Sequence, residues 1–280
     1  MKIIAGLIGV IVISLMLTSE KAVAEQKEVS EGIFDALSIS LDVAFLYGPI
    51  DGFVQTPKGG NPGSTSSKRP TFEELGFDTI SMYEGSIRAD WDAHSIFGGA
   101  QIARLSGRSR LDEELTSQNV TFPAGSYVDA DIQLDLYWLE YLYRFDLSPE
   151  GRCDVFTVAP GAGISVFAFH YELDGSGEEG VDRQYPKVGI RLGCELTWMI
   201  TDKLSAHGRA FGSLPIPNTP QILDLELVGR YQLWRSRRVK GLGYLGIAYD
   251  RIDYKDEQTV PNHILVEMGP MLKAGFQFQF

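Results

Sequence analysis

The sequence predicts an all-β fold: a closed, antiparallel, up-and-down transmembrane β-barrel of ten strands. The count falls to eight if two segments are hairpins outside the membrane. Three observations lead there. Apolar and polar residues alternate in run after run, as strands with two differently solvated faces require. After residue 24 no apolar run is long enough for a transmembrane helix, so a membrane-spanning chain must satisfy its backbone in a closed ring of strands. The connections also alternate between short and long, the rhythm of a barrel with tight turns at one end and loops at the other. A soluble β-sandwich explains the alternation equally well. It does not explain the loop rhythm, nor the charges on the polar face of nearly every strand.

Residues 1–24 read as a signal peptide. Lys2 supplies the positive start, Ile3 to Thr18 the apolar run, and Ala22-Val23-Ala24 the small-residue cleavage site, with cutting after Ala24. A membrane anchor is the alternative reading of the same run. The mature chain, residues 25–280, is expected to be one barrel domain. Its 37 acidic against 25 basic residues give no support to a nucleic-acid partner.

The first strand sets Ile39, Leu41, Val43, Phe45 and Tyr47 against Ser40, Asp42 and Ala44, with Leu46 out of phase, and a polar loop spans 52–78. The second sets Tyr83, Ile87, Ala89 and Trp91 against Glu84, Ser86, Arg88 and Asp90, and the third runs over Ser95–Ser106. A polar excursion, 107–127, follows, with Phe122-Pro-Ala-Gly125 as the expected hairpin tip. The fourth strand opens with Ile132 and Leu134 opposite Asp131, Gln133 and Asp135. It then changes phase, so that Leu139, Tyr141 and Tyr143 oppose Glu140 and Arg144. A bulge near Leu136–Trp138 would reconcile the two halves.

The fifth strand covers 155–173, and the sixth sets Val188 to Ile200 against Lys187, Arg191 and Glu195. The seventh carries His207 and Arg209, and the eighth sets Leu223 to Leu233 against Asp224, Glu226 and Arg230. The ninth, Gly241–Tyr254, has no settled parity. The tenth sets Ile264, Val266, Met268, Leu272, Ala274, Phe276, Phe278 and Phe280 against Glu267, Lys273 and Gln277. Pro160 and Pro270 fall within strands and are expected at bulges or strand ends, because a missing N–H breaks the ladder.

A final strand with Phe276, Phe278 and Phe280 on one face and an aromatic last residue resembles the assembly signal of bacterial outer-membrane β-barrels. That resemblance implies export to the cell outer membrane, with outer-membrane lipids and the barrel-assembly machinery as partners. It places the short turns in the periplasm and the long loops outside. Trp91, Trp198 and Trp234 then fall near the periplasmic ends, where an aromatic girdle would sit.

In this reading the lumen holds Asp42, Glu84, Arg88, Asp90, Asp135, Glu140, Arg144, Arg191, Glu195, Arg209, Asp224, Glu226, Arg230, Glu267 and Lys273. So narrow a barrel is filled by its side chains, and acids and bases there should pair. The expected function is structural or surface-interacting, with a charge-plugged lumen and loops 52–78 and 107–127 exposed to partners the sequence does not identify. A narrow channel for small solutes is the alternative. A rim hydrolase resembling the omptin-like proteases is the third: His263, Asp250, Asp253 and Asp256 form the candidate group, but no adjacent acidic pair faces them. No nucleophile elbow, His-x-Ser-Asn segment or Cys/His cluster is present, so no catalytic, cofactor or metal site is expected. Cys153 and Cys194 are expected to be free thiols, with Cys194 facing lipid, because strand register puts them roughly 30 Å apart.

Overall fold

The computed structural model describes residues 37–66, 69–147, 155–175, 180–236 and 239–280. The expected signal peptide and Cys153 lie outside these residues. The strands in chain order are β1 (Ser38–Gln55), β2 (Thr79–Trp91), β3 (His94–Arg110), β4 (Leu115–Ser117), β5 (Val120–Phe122), β6 (Tyr127–Tyr143), β7 (Phe145–Asp146), β8 (Val155–Gly175), β9 (Val181–Met199), β10 (Leu204–Ser213), β11 (Gln221–Arg235), β12 (Lys240–Lys255) and β13 (His263–Gln279). Ten of them are long and antiparallel. They close into a barrel through β6–β8 and through β1–β13, which pairs from Ser40↔Gln279 to Gln55↔His263. The short β7 continues the line of β6 along the lower part of β8.

Short turns such as Asp92-Ala93 and Thr201–Lys203 gather at one end, beside Ser38 and Phe280. The longer connections gather at the other, the loop end. They are less loop-like than the sequence suggests. β1 continues to Gln55, and the segment 70–78 stands beside its upper part, where Val54 N–H donates to Pro70 and Phe72 N–H to Gly52. The hairpin tip in 107–127 is Gln118-Asn119 rather than Phe122–Gly125: both residues have positive φ, 53° and 68°, as a tight two-residue turn requires.

The barrel has two storeys of opposite polarity. Toward the turn end, Val43, Leu139, Val188, Leu227, Leu245 and Leu272 point outward and are exposed, while charges fill the inside. Toward the loop end the arrangement reverses. Outward positions pass from Ile102 to Arg104, from Tyr137 to Asp135, from Ala168 to His170 and from Tyr249 to Arg251. Inside, Leu46, Met82, Ile132, Leu134, Phe167, Phe169, Ile252 and Val266 form one apolar core at 0–1% exposure. The physical cause is that apolar faces turn to whichever side is dry. In the lower storey that is lipid; above it, only the interior excludes water.

Two strands show how the sequence meets this switch, and both differ from expectation. β6 has unbroken register with β3 and with β8, so there is no bulge at Leu136–Trp138. Its even residues stay inside throughout, and its pattern changes because the dry side changes. β13 does the opposite. It carries one extra residue at Gly269-Pro270, where its register shifts against both β1 and β12 and Gly269 adopts a φ of 120°. Ile264, Val266 and Met268 therefore face the core, not lipid, while Leu272, Ala274 and Phe276 face outward. Pro160 needs no bulge: it sits opposite the gap where the neighbour of β8 passes from β6 to β7. In β12, whose parity the sequence left open, Tyr244, Ala248, Asp250 and Ile252 point inward.

Candidate functional site: the charged lumen

Alternating inward positions on eight strands bring the lower lumen's charges together. Arg209 on β10 lies at the centre. Its Nη2 donates to Glu140 Oε1 and Oε2 at 2.7 and 2.8 Å, its Nη1 pairs with Asp224, and its Nε is 3.7 Å from Glu195. Arg191 contributes a second link, with Nε 3.0 Å from Glu140 and Nη2 donating to Asp224 at 2.9 Å. Arg88 donates to both oxygens of Glu195 at 2.5 Å. Three arginines thus meet three carboxylates. Beside them Lys273 Nζ donates to Glu84 at 2.8 and 2.9 Å and to Glu226, and Gln101 adds a bond to Glu84 at 3.1 Å.

Aromatic faces complete the packing. The Arg209 guanidinium lies over Phe97, Trp138 and Phe211, and Arg191 also lies over Phe211. Such stacking suits arginine, whose planar cation is weakly hydrated. Gly193, between Arg191 and Glu195, is what lets Phe211 lie there. A Cβ at that position would come within 2.5 Å of the ring and 2.1 Å of the Ala210 carbonyl. The network is dry: the side chains of Arg191 and Glu140 are 1% and 0% exposed.

Other expected lumen groups also point inward. Asp42 accepts from Gln277 at 3.1 Å, Asp90 accepts from Ser95, and Arg230 lies over the Tyr244 ring. Three do not. Asp135 is on the outer wall, held by Arg104, because β6 keeps its register. Glu267 is on the outer wall with Arg251 at 3.1 Å, because the extra residue in β13 reverses its face. Arg144 is exposed beyond the end of β6 and donates to the Asp92 carbonyl. The Glu267–Arg251 pair is more than a third exposed and so contributes little. Urea unfolding should show Glu267→Gln within about 1 kcal/mol of the native chain. Glu140→Gln should cost about 3 kcal/mol or more, since it removes the buried anion that the Arg209 and Arg191 guanidinium groups share. Equal costs would contradict this division.

The sequence did not assign Asp250 to the lumen. It faces Asp224 across the β11–β12 ladder, with both carboxylate oxygens buried and unbonded among the described residues. The rim group built around His263 is accordingly divided. His263 Nε2 is 3.0 Å from Asp253, but Asp250 points inside and Asp256 is bonded to Asn262 at 2.9 and 2.6 Å. The His263 ring packs edge-on against Phe53 on the outer wall, and its Nδ1 is buried without a partner among the described residues. A second cluster escaped the sequence reading: His170, Glu172 and Asp182, on the outer wall. The signal was present as His-x-Glu on one face of a strand, but strand pairing was needed to bring Asp182 to it. Cys194 is free and faces outward, with Leu192 and Leu196 on either side.

A closed ten-strand barrel, apolar outside and charged inside over one half, with tryptophans at the turn end, is a transmembrane β-barrel of the bacterial outer-membrane type. Phe276 and Phe280 stand exposed on its lipid face, and Phe278 packs against Trp234. No family model matches the sequence. No curated protein matches it either. Among solved structures it is similar to the outer-membrane protease OmpT from Escherichia coli, at 12% identity over 88% of this chain and 97% of that one, with a TM-score of 0.41. The translocator domain of the autotransporter NalP from Neisseria meningitidis is 13% identical over 96% and 98% of the two chains, with a TM-score of 0.35. The attachment invasion locus protein Ail of Yersinia pestis is 9% identical over 87% and 99%, with a TM-score of 0.33.

Proposed function

We propose that this protein is a non-conducting outer-membrane barrel whose role is structural or lies in contacts made by its outer surface. The observation that carries this reading is that both storeys are filled. The paired charges occupy the lumen within the membrane, and above them the apolar core contains Phe72 and Leu75 from the segment after β1. A roof then covers the core. The Tyr171 hydroxyl bonds to Thr56 and Ser117, and Ser66 N–H donates to Thr116 at 2.8 Å. Asn119 N–H donates to Ser64 at 3.0 Å, Val260 N–H to Gly60 at 3.1 Å, and Glu257 N–H to Asn218 at 3.0 Å.

These bonds join four loop-end segments into one continuous platform, where a surface contact would form. An open cleft of about 620 Å³ lies on it, between Pro215, Ile216 and Pro217 on one side and Lys255, Glu257 and Gln258 on the other. The rim-hydrolase alternative gains little support, because the ring nitrogen of His263 not used by Asp253 is buried and cannot reach a substrate proton. Planar-bilayer recording of the refolded protein is expected to give no steady current. A steady, solute-dependent conductance would sink the closed-barrel reading in favour of a channel.

A further inference from the structure

The outer wall carries a group of side chains separate from the lumen and from the platform. In the β8–β9 ladder Glu172 lies directly opposite Asp182, and on the other side of β8 Asp131 of β6 lies opposite Glu172. Three carboxylates therefore stand in one row across three neighbouring strands. Like charges so placed repel. Asp131 is engaged by the Ser106 hydroxyl, but Glu172 and Asp182 converge instead on one imidazole. His170 Nε2 lies 2.7 Å from Asp182 Oδ1 and 3.4 Å from Glu172 Oε1, and one ligand atom from each residue lies within 4.8 Å of the others.

One nitrogen and two carboxylate oxygens are a donor set for a borderline divalent metal. Four ligands at about 2.0–2.2 Å in a tetrahedron are separated by roughly 3.3–3.5 Å. The 3.4 Å separation fits that spacing, while the 2.7 Å one, a hydrogen-bond distance, must open by roughly 0.6 Å as the exposed Asp182 side chain rotates. The strands already hold the ligands together: His170 and Glu172 share one face of β8, and the His170 side chain is only 18% exposed, while Glu172 and Asp182 are more open. We propose that His170, Glu172 and Asp182 form a zinc site with three protein ligands. It stands at the first outward positions above the apolar belt, where Ala168 gives way to His170 on β8. Its remaining coordination position opens outward, to water or to a headgroup oxygen.

The test is calorimetric titration of the untagged, refolded barrel with zinc chloride, together with visible absorption of Co²⁺ bound in place of Zn²⁺. One saturable equivalent of micromolar or tighter affinity is expected, with the intense absorption of a four-coordinate cobalt site. His170→Ala and Asp182→Asn should each weaken binding by about tenfold or more. Both variants should keep heat-modifiable gel migration, because the residues lie outside the barrel core. His263→Ala, which removes a histidine also bonded to an aspartate near the loop end, should leave binding unchanged. Absence of saturable binding would overturn the proposal. So would binding that survives both His170→Ala and Asp182→Asn, or binding lost in His263→Ala.

Discussion

Arg209→Ala is expected to lower the unfolding free energy of the refolded barrel by about 3–5 kcal/mol, the usual cost of removing one partner from a buried ionic network. Arg209 touches Glu140, Asp224 and Glu195, all nearly unexposed, and Arg191 and Arg88 cannot take over all of its donors. Arg209→Lys should recover part of the loss, since an ammonium keeps the charge but cannot make the paired bonds to Glu140. Urea titration in detergent or bilayers provides the measurement, and a loss under about 1 kcal/mol would show that the network is not closely coupled. The variant should still carry no current. On the closed-barrel proposal the apolar storey and its roof stay in place in this variant, so conduction in Arg209→Ala would place the seal in the network alone.

Deleting Pro270 should have a larger effect still, abolishing the folded, heat-modifiable band. The extra residue at Gly269-Pro270 gives the two halves of β13 opposite parity. Without it, one half must reverse. Either Ile264, Val266 and Met268 turn out to water, or Leu272 and Phe276 turn into the charged lumen while Lys273 turns to lipid. A lysine on the lipid face costs up to about 4 kcal/mol depending on its depth, before the lost pairing with Glu84 and Glu226. Pro270→Ala keeps the chain length and is expected to fold. A deletion variant that folded normally would mean that the bulge does not set the faces of β13.

Much of the barrel was legible in the sequence because the lower storey follows a single rule. Where lipid surrounds the wall, the apolar parity is outside and the charged parity inside. On that basis Ile39 to Tyr47, Val188 to Trp198 and Leu223 to Leu233 are lipid-facing, and Glu84, Arg88, Arg191, Glu195, Arg209, Asp224, Glu226 and Lys273 point inward. Even Leu46, which broke the pattern of the first strand, is explained by its place: it is buried inside, where the apolar core begins. The row of carboxylates at Glu172 and Asp182, and the meeting of Asp250 with Asp224, could not be read this way. They depend on register between strands, which no single segment encodes.

The sequence by itself determined that the chain forms alternating strands, ten or eight of them, and for most of these which residues share a face. Only the tertiary structure decided where along each strand the dry side passes from lipid to the interior, because parity carries no information about where water ends. β6 and β13 make the point from opposite directions. In β6 the apolar parity changes while the backbone register does not; in β13 the apolar parity is constant while the register slips by one residue. Both strands reach the same result, an apolar surface toward lipid below and toward the core above. The slip at Gly269-Pro270 and the unbroken ladder of β6 are set by neighbouring strands, so the assignments of Asp135 and Glu267 to the outer wall rested on the closed barrel.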